Sequence, residues 1–206
     1  MPRPPAILHA ALLPTPFGDF RAHFSAAGLA RLDFPHQGER TDAQPVDELP
    51  PPFRAWAGQT QTALRAALTP SSRRTPKVTL PPLDLAGGTK FRLRVWPELL
   101  RIPRGETRSY GELADELGKR RAARAVGGAC GANPIPVLIP CHRVLAANGG
   151  LGGFSLQRLD TPAAGKKAAA VQGHGGRREF LVLLEQCGVR DLHVVDDVGW
   201  HGVEFP

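Results

Sequence analysis

The side chains best suited to covalent chemistry stand together in Ile139-Pro140-Cys141-His142-Arg143-Val144. The thiolate is the nucleophilic form of cysteine, and a free pKa of about 8.5 falls beside imidazole or cationic groups. Side chains of adjacent Cys and His diverge, so Cys141 and His142 are expected to communicate through a water. A third group must then orient the imidazole. The approach, Asn133-Pro134-Ile135-Pro136-Val137-Leu138, is stiffened by two prolines. Pro-Cys-His alone is a weak signal, because many cysteines are simply buried small hydrophobes.

What positions this stretch can be read upstream. Ser109-Tyr110-Gly111-Glu112 has the spacing of a capping box, Leu113, Ala114 and Leu117 follow, and Gly118 closes the helix. A second helix is predicted to begin near Arg121 and to carry Ala122, Ala123, Arg124, Ala125, Val126, Gly127, Gly128, Ala129 and Cys130. Two short helices with a tight glycine-containing connection make a helix-turn-helix. The second is unusually small-sided, which costs helix propensity at its glycines and permits close approach to another backbone. Ahead of it, Thr89 can cap a helix burying Phe91, Val95, Trp96, Leu99 and Leu100, with Pro97 as an interior oddity.

Residues 7–34 alternate as strands separated by turns at Pro16-Phe17-Gly18 and Ala27-Gly28. Residues 35–52 read as a proline-rich loop. Phe53, Trp56, Ala57, Thr60, Ala63, Leu64, Ala67 and Leu68 then recur at helical spacing, the two aromatics as core. Val78-Thr79-Leu80-Pro81-Pro82-Leu83-Asp84-Leu85 is predicted to be an edge strand.

The chain of 206 residues has a formal charge of +7. Residues 89–150 hold eleven Lys/Arg against five Asp/Glu, so the excess sits in the segment with the cysteine. Such a field attracts phosphate backbones, although a solvated basic surface gives the same balance. The three cysteines have no metal-ligand spacing, and no cofactor is expected. Neither a secretory signal nor a membrane span is visible, and a reducing cytoplasm suits the cysteine usage.

Four blocks carry a resemblance in order and spacing. They are Phe91-Arg92-Leu93-Arg94-Val95-Trp96, Ile102-Pro103-Arg104-Gly105-Glu106-Thr107-Arg108-Ser109-Tyr110-Gly111, Ala122-Ala123-Arg124-Ala125-Val126-Gly127-Gly128, and the cysteine stretch. Together they resemble the O6-alkylguanine-DNA alkyltransferases, self-sacrificing DNA repair proteins. The resemblance implies an α+β chain: an N-terminal mixed α/β, ribonuclease H-like domain (1–86), then a mainly helical winged helix-turn-helix alkyltransferase domain (87–206). Residues 156–176 read as an inserted basic loop, and 190–206 as a C-terminal extension beyond the match.

The family pattern implies Cys141 as alkyl acceptor, His142 as its partner through water, and Glu185 as the orienting carboxylate, with Glu179 a poorer fit. Tyr110 would help rotate the nucleotide and protonate the base; by itself it reads as a core tyrosine. Asn133 would bridge the recognition helix to the cysteine loop, where an Asn-Pro step is otherwise a turn initiator. Arg124 would fill the vacated base stack, against the plainer reading of a phosphate contact. Ser109, Ala125, Gly127 and Gly128 would border DNA. Val144, Gly152, Phe154 and Ser155 would line the base pocket, with Phe154 where an aromatic, often tyrosine, closes it.

The implied partner is double-stranded DNA containing O6-alkylguanine, met by a monomer that reacts once. Three rivals remain open at this stage. A lesion-recognition module would bind without transfer, a cysteine hydrolase would turn over, and a helix-turn-helix regulator would read bases in the major groove.

Overall fold

The computed structural model describes residues 2–16, 18–35, 42–68 and 78–147. The residues expected at Glu179, Glu185, Gly152, Phe154 and Ser155, the insertion 156–176 and the extension 190–206 lie outside them. Within the described residues the chain gathers into two units, one of Met1–Thr89 with Pro134–Leu138, the other of Lys90–Asn133 continuing from Ile139.

In the first unit, β1 (His9–Thr15), β2 (Gly18–Ser25) and β3 (Gly28–Asp33) form an antiparallel sheet in the order β1-β2-β3. The alternation sets the buried face: Phe20, Ala22 and Phe24 of β2 are buried, and Arg21 and His23 between them are not. Helix α1 (Phe53–Leu68) covers that face with Ala57, Thr60, Ala63, Leu64 and Leu68. Each fully buried Leu or Phe here contributes about 1.5–3 kcal/mol through removal from water. Phe53 meets Trp56 edge-on at 5.3 Å, and Trp56 lies 6.4 Å from Phe24, so the aromatic pair belongs to this packing as expected.

The expected strand over residues 78–85 is reduced to a single parallel bridge, Leu29 with Leu83. Leu29 N donates to the Pro82 carbonyl at 2.8 Å and Asp84 N to the Leu29 carbonyl at 2.9 Å. Pro81 and Pro82 have no N–H to extend the ladder. Gly28 makes this crossing feasible: a Cβ there would stand 2.1 Å from the Pro82 oxygen, and its φ is +146°. Pro134–Leu138 joins the same unit, with Leu32 N donating to the Pro134 carbonyl at 2.9 Å. Within that segment Val137 is buried at φ 72°, a conformation that costs a β-branched residue about 1–3 kcal/mol.

The second unit holds α2 (Arg92–Leu100), β4 (Arg108–Ser109), α3 (Tyr110–Glu116), α4 (Ala123–Gly131) and β5 (Val144–Leu145). Helix α2 buries Val95, Trp96 and Leu99 and packs on α4, where the Trp96 indole donates to the Ala129 carbonyl at 2.9 Å. Phe91, not Thr89, occupies its N-cap, and Leu100 is exposed rather than buried. Pro97 falls inside the helix on its exposed side, and its ring leaves the Leu93 carbonyl without the usual helical donor.

Candidate functional site: a cysteine turn beside two short helices

Helix α3 starts where the sequence places it. Ser109 Oγ accepts from Glu112 N at 3.1 Å, and the Glu112 carboxylate accepts from Ser109 N at 2.6 Å, completing the capping box. It ends in a Schellman motif: Gly118 (φ +68°) gives its N–H to Asp115, and Lys119 N reaches Ala114. After a short turn α4 packs against α3, with Val126, Ala129 and Cys130 buried. The pair is two short helices joined by a tight turn.

The backbone and side-chain bonds from Ser109 hold the Glu112 carboxyl below its usual range, helped by nearby Arg108. A depressed folded pKa adds stability that is present above the ordinary glutamate value, about 4.3, and is lost as pH falls through the folded value. Asp33 acts with the same sign: burial pushes its carboxyl up, but hydrogen bonds from His23 and Arg31 outweigh that and hold it low. Thermal midpoints should therefore fall on acidification below about pH 5, and less steeply in Glu112→Gln, whose amide cannot titrate. An identical slope in the variant would remove Glu112 from the acid response.

Cys141 opens a 3-10 turn, Cys141–Arg143, directly after Pro140. Cys141 is partly exposed, whereas His142 is buried at 2 % relative exposure. Asn133, just beyond the end of α4, is also buried, and its Nδ2 donates to the Ile139 carbonyl at 2.8 Å. It therefore ties the end of α4 to the residues that lead into Cys141. Arg143 gives Nη1 to the Ile102 carbonyl at 2.8 Å.

One brace has no sequence signature. Arg108 pairs with Val144 and Ser109 with Leu145 in a two-residue parallel ladder. Tyr110 begins α3 immediately after Ser109, so the ladder fixes the start of that helix to the strand leaving the cysteine turn. A Cβ built at Gly127 would lie 3.8 Å from the Tyr110 ring, which places the ring against α4. Val144 is buried. Arg124, Ala125 and Gly128 are exposed along α4, and Gly127 is half-buried.

Of the candidate residues, Ser109, Tyr110, Gly127, Asn133, Cys141, His142 and Val144 thus share one braced unit, with Arg124, Ala125 and Gly128 on the exposed side of α4. Sequence reasoning missed the Ile139 carbonyl and the β4–β5 ladder, since neither a backbone acceptor nor a two-residue bridge leaves a residue pattern. No group of three metal-ligating side chains occurs among the described residues. No helix among them is long and apolar enough to cross a membrane.

Residues 90–172 match the family model described as 6-O-methylguanine DNA methyltransferase, DNA binding domain. The methylated-DNA–protein-cysteine methyltransferase of Mycobacterium bovis is 61% identical over 72 residues, covering 35% of this chain and 43% of that protein. The inducible protein of that name from Bacillus subtilis is 48% identical over 82 residues, 38% of this chain and 45% of its own length. These matches span less than half of the curated relatives. A solved structure, Mycobacterium tuberculosis OGT in complex with DNA, aligns over 88% of this chain and 95% of its own, with 35% identity and a TM-score of 0.58. With its mixed α/β fold and its braced cysteine turn, the chain belongs to the O6-methylguanine-DNA methyltransferase family.

Proposed function

We propose that this protein repairs DNA by moving the alkyl group of O6-alkylguanine, methyl above all, onto its own Cys141. The observation that carries the reading is a partly exposed cysteine heading a turn that is laced to a helix-turn-helix through Asn133 and the β4–β5 ladder. The DNA complex of the Mycobacterium tuberculosis relative supports the choice of partner. In this reading residues 1–86 are a ribonuclease H-like structural domain, and 87–206 a winged helix-turn-helix domain that acts as a monomer in the cytoplasm.

An alkyl group on guanine O6 sits inside the duplex, so the nucleotide is extruded at an unstacking cost of a few kcal/mol. Helix α4 enters the minor groove, and Arg124 fills the vacated stack. Val144 and Gly152 offer carbonyls to the guanine amino group, Ser155 hydrogen-bonds near O6, and Phe154 closes the pocket. His142, oriented by Glu185, draws the thiol proton through a water. The Cys141 Sγ–carbon bond forms as the carbon–O6 bond breaks, the electron pair stays on the base, and Tyr110 supplies the proton that neutralises it. The product is a thioether, which does not hydrolyse. No metal or cofactor takes part.

Gly128 supports the close approach of α4 to DNA. A Cβ there would meet nothing within 4 Å, so the fold does not require glycine at this exposed helical site. Gly128→Ala should stabilise the protein by about 0.5–1 kcal/mol and yet weaken duplex binding. Thermal denaturation and anisotropy titration check the two halves; undiminished binding would remove Gly128 from the interface.

Stoichiometry tests the whole reading. With excess duplex carrying O6-methylguanine, demethylation should stop at one equivalent per protein. Continued turnover would indicate a hydrolase, and tight binding without demethylation a lesion-recognition module.

A further inference from the structure

The connection from α3 to α4 carries Lys119, Arg120 and Arg121 in succession, all three exposed. Three other arginines find carboxylates: Arg31 with Asp33, Arg101 with Glu98, and Arg108 with Glu106 and Glu116. The three cations of the turn have no ion pair or side-chain hydrogen bond among the described residues. Their backbone is nonetheless fixed. Lys119 N is held by the Ala114 carbonyl at 2.8 Å, and Ala122 N closes back on the Lys119 carbonyl at 2.7 Å.

This arrangement works against the fold. Like charges crowd one turn, and they stand at the N-terminal end of α4, where cations oppose the helix dipole. Helix α4 has no acidic residue in its first turn, and Ala122 at the N-cap offers no side-chain acceptor. Neither packing nor ion pairing uses these charges, which leaves them available to an anion from outside. A fixed row of cations one turn ahead of Arg124 suits the evenly spaced phosphates of a duplex.

We propose that residues 119–121 form a phosphate-backbone clamp for duplex DNA, seating the protein without regard to sequence or lesion. The inference rests on the DNA-repair reading and deepens it. The clamp supplies electrostatic affinity and register, and Arg124 and the cysteine turn act afterwards.

The test measures the salt dependence of binding to an undamaged duplex oligonucleotide, comparing the wild type with Lys119→Gln/Arg120→Gln/Arg121→Gln. Each lost phosphate contact lowers the slope of log K against log salt by about 0.9, so the triple variant should lose about 2–3 units of slope. Its thermal midpoint should be unchanged or raised by about 2 °C, because the charges oppose the helix dipole. An unchanged slope overturns the proposal, as would selective binding of polyglutamate with DNA binding intact, which makes the turn a protein-docking surface. If the triple variant misfolds, Arg120→Lys/Arg121→Lys decides: keeping the charges must keep the slope, and losing it refutes an electrostatic clamp. Wild-type protein that binds the duplex but gains no methyl would refute the repair reading while leaving the clamp standing.

Discussion

Cys141→Ala should abolish methyl transfer outright while duplex binding survives. The substitution removes the sulfur proposed to form the new bond to carbon, so the expected loss is not a matter of degree. Cys141 is partly exposed, so shortening it to alanine should cost no more than about 1 kcal/mol of stability. Loss of transfer therefore cannot be laid to unfolding. Anisotropy with an O6-methylguanine duplex measures binding, and demethylation of the same duplex measures transfer. Residual demethylation would place the acceptor elsewhere, with Cys130 first in question. That thiol is buried in α4, which argues against it.

Arg124→Ala should slow repair in duplex DNA on the order of 10–100-fold, and barely affect reaction with the free base O6-methylguanine. Extruding a nucleotide costs a few kcal/mol, and a side chain that fills the gap offsets part of it. Losing about 1.4–2.8 kcal/mol of that help gives the stated range. Arg124 is exposed, so truncating it leaves no hole in the core. The free base needs no extrusion and serves as the internal control. Equal losses on both substrates would count against a stacking role and would favour a general effect on the site.

Where local chemistry dictated local structure, the sequence was legible. The capping box at Ser109 and Glu112, the glycine stop at Gly118, and the alternation of Phe20, Ala22 and Phe24 each follow from a side chain acting on its own neighbourhood. Prediction failed where distant partners decide. Residues 78–85 have strand composition, yet two prolines and the close approach of Gly28 leave a single bridge. Thr89 looks like a cap, but the helix starts at Arg92 with Phe91 ahead of it. Val137 gives no hint of a left-handed backbone, because glycine or asparagine is the usual marker of that conformation.

The candidate site divides in the same way. Cys141, His142, Asn133 and Tyr110 stand out by type and order. The links that hold them, Asn133 Nδ2 to the Ile139 carbonyl and the pairing of Ser109 with Leu145 in the short ladder, end on backbone groups of the cysteine segment, which leave no residue signature.

The central claim is that Cys141 itself becomes the product, and peptide mass spectrometry tests it most directly. Protein is mixed with a duplex carrying O6-methylguanine, digested, and compared with a sample given undamaged DNA. The expected result is one methyl per protein, confined to the peptide containing Cys141 and bound to its sulfur. A demethylated duplex with an unmodified Cys141 peptide would contradict the claim.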